Sequence, residues 1–255
     1  AEHLIQGHGL VFNPGEWVEG YTNLLWTLML AGLMAVGGEP VVGSTVLGLL
    51  CLAGTIIATA YLVPRDSGGT PWLVAPLLVA ADAHFVLESV EGLETALFAL
   101  LITLGARGFL ADQRWGGSGW FVLACLTRPE GVLLWGAVHA GGWVQAWRSG
   151  GLPVQIRATL WAAIPIVLCL GLLTAWRVSA YGDPLPNTFY AKTGGFAVPR
   201  GLSYVWAHIQ SHPVLWGLGL VGAWLGRRRA HTVPLVVTVG LYLTYVVVVG
   251  GDFKP

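Results

Sequence analysis

Residues 40–64, PVVGSTVLGLLCLAGTIIATAYLVP, lie between Glu39 and Arg65 without a charged side chain. A helix rises about 1.5 Å per residue, and about 20 apolar residues carry it across the hydrocarbon of a bilayer. The stretch therefore reads as a spanning helix. Similar charge-free runs cover 20–38, 67–81, 115–127, 131–147, 158–176, 201–226 and 230–251. The 255 residues are 55% hydrophobic and only 10% charged, whereas a soluble domain carries roughly a quarter charged residues. These runs predict an all-α, polytopic transmembrane helical bundle of about eight segments, near 22–38, 41–63, 71–87, 93–110, 117–147, 158–177, 204–226 and 231–250.

The polar remainder sets out a single transmembrane domain over 1–255. Residues 1–21 carry Glu2, Glu16, Glu19 and a turn at Asn13-Pro14-Gly15, and read as a segment on the outer face. Membrane helices fill 22–177, a long non-apolar outer loop follows at 178–203, and helices return over 204–250. Arg227, Arg228 and Arg229, with Arg148 and Arg157, mark the cytoplasmic side by the positive-inside tendency. Residues 178–203 and Asp252 then face outward. Eight simple crossings also leave Arg65, Arg107 and Arg114 outside, so the topology of 22–147 stays open. A break of 117–147 at Thr127-Arg128-Pro129-Glu130-Gly131 would shift it, because proline removes a helix hydrogen bond. The chain starts at Ala1 without the basic start of a signal peptide, and stops at Asp252-Phe253-Lys254-Pro255 just after an apolar run. Truncation at both ends is the expectation.

Several classes of function are disfavoured. Zero formal net charge and no basic run longer than Arg227 to Arg229 argue against nucleic acid. Cys51, Cys125 and Cys169 sit in apolar runs at spacings that suit neither zinc nor a disulfide framework. His208 and His212 have a metal-ligand spacing but no acidic or cysteine neighbour. No metal site is assigned.

Three groups of residues could carry chemistry. Arg128 and Glu130 interrupt an apolar stretch, where charges must be paired or wet. They read either as a structural ion pair at a broken helix or as a site where Arg128 holds a phosphate or pyrophosphate. Glu88, Glu91 and Glu94 stand at a junction of two segments, as helix-start carboxylates or as ligands for sugar hydroxyls or a cation. Asn13, Glu16, Glu19, Tyr21 and Asn23 mix aromatic, carboxylate and amide groups, as carbohydrate sites do; an interfacial segment with a helix cap has the same composition.

Taken together the motifs resemble the polytopic glycosyltransferases of the GT-C superfamily, within it the actinobacterial terminal β-(1→2)-arabinofuranosyltransferase-like group. The resemblance rests on Gly7-His8-Gly9-Leu10-Val11-Phe12-Asn13-Pro14-Gly15-Glu16 continuing through Val18-Glu19-Gly20-Tyr21-Thr22-Asn23, on Gly92-Leu93-Glu94-Thr95, and on Leu126-Thr127-Arg128-Pro129-Glu130-Gly131. It continues in Tyr181-Gly182-Asp183-Pro184-Leu185-Pro186-Asn187-Thr188-Phe189-Tyr190-Ala191-Lys192 and Gly250-Gly251-Asp252-Phe253.

The resemblance implies a membrane enzyme that moves a sugar, arabinofuranose in that group, with inversion from a polyprenyl-phosphate donor to a glycan, lipid or protein acceptor. It implies a bacterial plasma membrane, surrounding membrane lipids and an outward-facing site. It makes no cofactor certain, and a divalent cation stays open. Arg128 and Lys192 would take the phosphate, while Glu16, Glu19, Asn187 and Tyr190 would line the sugar and acceptor side. Asn13, Tyr21, Asn23, Glu94, Glu130 and Asp252 are further candidates for binding. The family's general base, an aspartate, would lie upstream of Ala1, so no catalytic residue is assigned here and this chain alone is expected to be inactive. The rival readings are a transporter or flippase for a lipid-linked sugar, with Arg128 and Glu130 in its path, and a non-catalytic membrane scaffold. A transporter predicts polar groups at the midplane and an internal repeat, and no repeat is visible.

Overall fold

The computed structural model describes residues 1–62, 73–186 and 197–251. Among these residues the chain is helical: α1 (Glu2–Ile5), α2 (Leu24–Ala35), α3 (Pro40–Ala60), α4 (Val74–Ala81), α5 (Ala83–Val90), α6 (Thr95–Leu110), α7 (Arg114–Thr127), α8 (Gly131–Ser149), α9 (Leu152–Tyr181), α10 (Val198–Ser211), α11 (Pro213–Gly226) and α12 (Thr232–Val249). Two compact units form, one from Ala1–Val132 with Ala162–Lys192 and the other from Leu133–Trp161 with Thr193–Pro255.

The chain is a helical membrane protein, but among the described residues three helices, not eight, have the length and apolarity to cross a bilayer: α3, α9 and α12. Local breaks account for the difference. Asp82 splits the expected segment 71–87, its carboxylate accepting from the Phe85 amide at 3.0 Å to start α5. Residues 71 and 72 of that segment lie outside the described residues. Pro129 separates α7 from α8, because the residue before a proline is pushed out of helical geometry; Arg128 is extended at φ −147° and ψ 139°. Pro213 opens α11 directly after His212, which divides 204–226. The anticipated outer loop 178–203 is also shorter than expected, since α9 runs on to Tyr181 and α10 begins at Val198.

Small residues draw the first unit together. A Cβ at Gly108 would lie 2.5 Å from the Gly117 Cα, so α6 and α7 meet backbone to backbone. A Cβ at Gly48 would land on the Ser89 carbonyl oxygen, which seats α3 against α5. Close approach of this kind is how helices associate where lipid removes the hydrophobic drive. Gly92, at φ +79°, makes the turn from α5 to α6, and the Trp26 indole of α2 donates to its carbonyl at 3.1 Å. Glu94 and Arg128 consequently emerge beside the start of α2.

In the second unit a Cβ at Gly201 would strike the Val247 carbonyl, which fixes α10 on α12. The last turn of α12 closes with Gly250 in the left-handed region, and Arg200 Nε donates to the Gly250 carbonyl at 2.8 Å. Thr159 donates to the Gln155 carbonyl and accepts from the Trp143 indole, each at 3.0 Å. With the hydroxyl proton so placed, His139 Nδ1 is the donor in its 3.0 Å bond to Thr159.

Candidate functional site in the first unit

The arm that precedes α2 is folded on itself. The Phe12 amide donates to the Val18 carbonyl at 3.1 Å, around a turn in which Gly15 has φ +88°. Within the turn the Asn13 amide donates to Glu16 at 3.0 Å, both side chains exposed. Asn13 and Glu16 thus satisfy one another. A Cβ at Gly20 would meet the Phe12 ring, so a larger residue there would have to displace that ring.

Glu19 and Tyr21 anchor the arm to the end of α9. The Glu19 side chain is 3% exposed and receives Arg177 Nε at 2.8 and 3.1 Å and Nη2 at 3.0 Å. Tyr181 donates to the Leu10 carbonyl at 2.6 Å, which uses its only hydroxyl proton. Tyr21 must therefore donate in the 3.2 Å bond between the two phenols. Burial first, and the Tyr181 hydroxyl after it, push the Tyr21 phenol well above its ordinary value, which keeps it protonated as a donor.

Burial also raises the Glu19 carboxyl, and Arg177 only partly offsets it. The native state then holds a proton at pH values where the unfolded chain has released it. By linkage, stability falls as pH rises through the window just above the ordinary glutamate value. We expect unfolding curves between pH 4 and 7, a range set by the ordinary glutamate pKa of about 4.3, to show this loss, and Glu19→Gln to remove it. An unchanged pH slope in that variant would assign the effect elsewhere.

Glu94, Asn23 and Arg128 form a second polar group. Asn23 Nδ2 donates to Glu94 at 3.0 Å, and the Thr27 hydroxyl donates to Asn23 Oδ1 at 3.1 Å. Arg128 Nε lies 3.3 Å from the other Glu94 oxygen, and its guanidinium carbon stands 5.9 Å from the centre of the Phe98 ring. Arg128 pairs with Glu94 of the preceding hairpin and not with neighbouring Glu130, because Pro129 turns the chain between them.

An apolar groove of about 550 Å³ opens in the first unit, lined by Leu10, Leu24, Leu28, Leu126, Leu172 and Trp176 among others. Its rim residues are sequence neighbours of the polar ones: Leu24 follows Asn23, Leu28 follows Thr27, Trp176 precedes Arg177, and Leu126 is two residues from Arg128. An elongated apolar tail would match such a groove.

Of the sequence-derived candidates, the structure joins Asn23, Glu94 and Arg128 directly, and ties Glu19 and Tyr21 to α9. Asn13 and Glu16 lie at the exposed turn. Asn187, Tyr190, Lys192 and Asp252 are outside the described residues, while Glu130 sits in the turn into α8. Sequence reasoning missed Arg177 and Tyr181. Arg177 had one signal, closing the charge-free run 158–176, and Tyr181 opened a quoted motif without being given a role. Among the described residues no group of three or more His, Cys, Asp or Glu side chains is placed to hold a metal ion.

Comparison with known proteins adds a distant relative. The chain is 27% identical to the terminal β-(1→2)-arabinofuranosyltransferase of Mycobacterium tuberculosis over 232 aligned residues, which cover 80% of this chain. It spans only 35% of that protein's length. No family model matches the chain, and no solved structure matches it at a significant level.

Proposed function

We propose that this chain belongs to a membrane glycosyltransferase of GT-C type that transfers a sugar from a polyprenyl-phosphate donor. The acceptor would be a glycan, lipid or protein at the outer face of a bacterial plasma membrane. The observation that carries the reading is the apolar groove suited to a lipid tail, one of whose lining residues, Leu126, stands two residues before Arg128. The distant likeness to an arabinofuranosyltransferase supports it and suggests arabinofuranose as the sugar.

In this reading the acceptor oxygen attacks the sugar's anomeric carbon as the bond from that carbon to the phosphate oxygen breaks. The electron pair leaves with the polyprenyl phosphate, and the hydroxyl proton goes to a carboxylate base supplied by the longer protein. The donor phosphate is a diester with one negative charge, and the departing monoester gains a second. A guanidinium beside it therefore binds the transition state more tightly than the ground state, which is the condition for accelerating the step. Lys192 would add a second cation, and Asn187 and Tyr190 polar groups on the sugar side. By analogy with other glycosyl transfer, in-line displacement inverts the anomeric centre.

The test is transfer of label from a radiolabelled polyprenyl-phosphate pentose or hexose in membranes carrying the full-length protein. Acceptor labelling with inverted configuration is the expected result. Movement of the lipid-linked sugar across the bilayer with no transfer to any acceptor would replace the enzyme by the transporter.

A further inference from the structure

Two arginines of the first unit meet carboxylates in different ways. Arg177 is 11% exposed and binds Glu19 through both Nε and Nη2, a saturated pairing that serves to tie the arm to α9. Arg128 is 34% exposed and approaches Glu94 most closely through Nε, at 3.3 Å, as an ion pair without a hydrogen bond. Among the described residues no acceptor is seated on its Nη groups, although these two groups form the edge of a guanidinium that suits a phosphate in bidentate fashion.

The carboxylate that holds Arg128 is itself held. Asn23 donates to Glu94, and Thr27 to Asn23, so three helices converge on the orientation of one guanidinium. Placing an acid beside an anion site weakens the attraction between that site and its ligand. What it supplies in return is order: the ion pair narrows the choice among many arginine rotamers, and a guanidinium edge without a hydrogen-bonded acceptor among the described residues is left to turn toward a ligand.

We propose that Glu94 is a positioning residue, whose ion pair with Arg128 orients the guanidinium so that its free edge is presented to the phosphate of a singly phosphorylated lipid. The proposal rests on the reading of Arg128 as the phosphate-holding group. Glu94 would not touch the ligand and acts through Arg128.

The test uses the full-length protein in detergent micelles and two short-chain probes, citronellyl phosphate and citronellol, titrated by calorimetry. Glu94→Gln should weaken citronellyl phosphate about tenfold, the equivalent of about 1.4 kcal/mol between residues of one network, and leave citronellol unchanged. Glu94→Asp, with the charge kept and the reach shortened, should fall between. In an Arg128→Met background, Glu94→Gln should have no further effect.

Tighter binding of citronellyl phosphate by Glu94→Gln would show that the carboxylate competes with the ligand, and would overturn the proposal. Equal losses for both probes would make Glu94 merely structural, and additive losses in the Arg128→Met background would separate the two residues; either result overturns it, as does failure of the unaltered protein to bind citronellyl phosphate. Coupled binding in a protein that transfers no sugar would keep the positioning role and remove the glycosyltransferase. Transfer by the unaltered protein with uncoupled binding would do the reverse.

Discussion

Glu19→Ala is expected to lower the stability of the protein in detergent micelles by about 3–5 kcal/mol, the range for removing one partner of a buried ion pair. The Glu19 side chain is 3% exposed and Arg177 11%, so the stranded guanidinium has little water to turn to. It also loses three hydrogen bonds at once. Glu19→Gln should cost less, since the amide oxygen still accepts. Replacing both residues by methionine should recover much of the loss, because the desolvation of two charges disappears with them. Denaturant unfolding in mixed micelles makes the comparison. A Glu19→Ala protein within 1 kcal/mol of the parent, the scale of an exposed pair, would show that the pair is solvated and the arm held by other contacts.

Arg128→Met gives the largest expected effect on transfer. On the proposed mechanism the rate constant for sugar transfer should fall about 10²–10³-fold, as for loss of one preorganised donor to a developing anion. Stability should change by less than about 1 kcal/mol, because a pair with one side chain 34% exposed behaves much like a surface pair. Arg128→Lys should restore part of the rate at most, having the charge but not the planar edge. Parallel measurement of single-turnover transfer and thermal unfolding separates the two outcomes. Unfolding losses as large as those of Glu19→Ala would make Arg128 a structural residue.

The long charge-free runs were enough to find α3, α9 and α12, because hydrocarbon demands apolar side chains and that demand is written locally. The break at Arg128-Pro129-Glu130 was also legible, since proline imposes it on the adjacent backbone whatever the rest of the chain does. What sequence could not supply was partnership. Arg128 looked like the mate of Glu130, yet Glu94 takes it, because backbone contact between Gly108 and Gly117 aligns α6 with α7 and brings their polar ends level. Glu19 and Tyr21 showed a composition suited to sugars, but their engagement with Arg177 and Tyr181 depends on how the arm meets α9. The end of α9 and the start of α10 were likewise missed: Arg177 and Arg200 interrupt the apolar pattern without interrupting the helix.

At 30 residues, α9 is about 45 Å long, whereas bilayer hydrocarbon is about 30 Å thick. Absorbing the whole excess by leaning would take an inclination of nearly 50°, beyond the usual range of up to about 40° for membrane helices. Unless the helix bends at Pro165 within it, part of it then stands clear of the lipid tails like a post. Arg177 and Tyr181 occupy the last two turns, where such a post would hold the arm of residues 9–23 in the headgroup layer, at a height fixed by the helix itself. Removing one turn near Leu152 leaves that height intact, whereas removing one between Leu173 and Arg177 lowers the anchor by about 5.4 Å and drags its two tethered side chains toward the acyl chains.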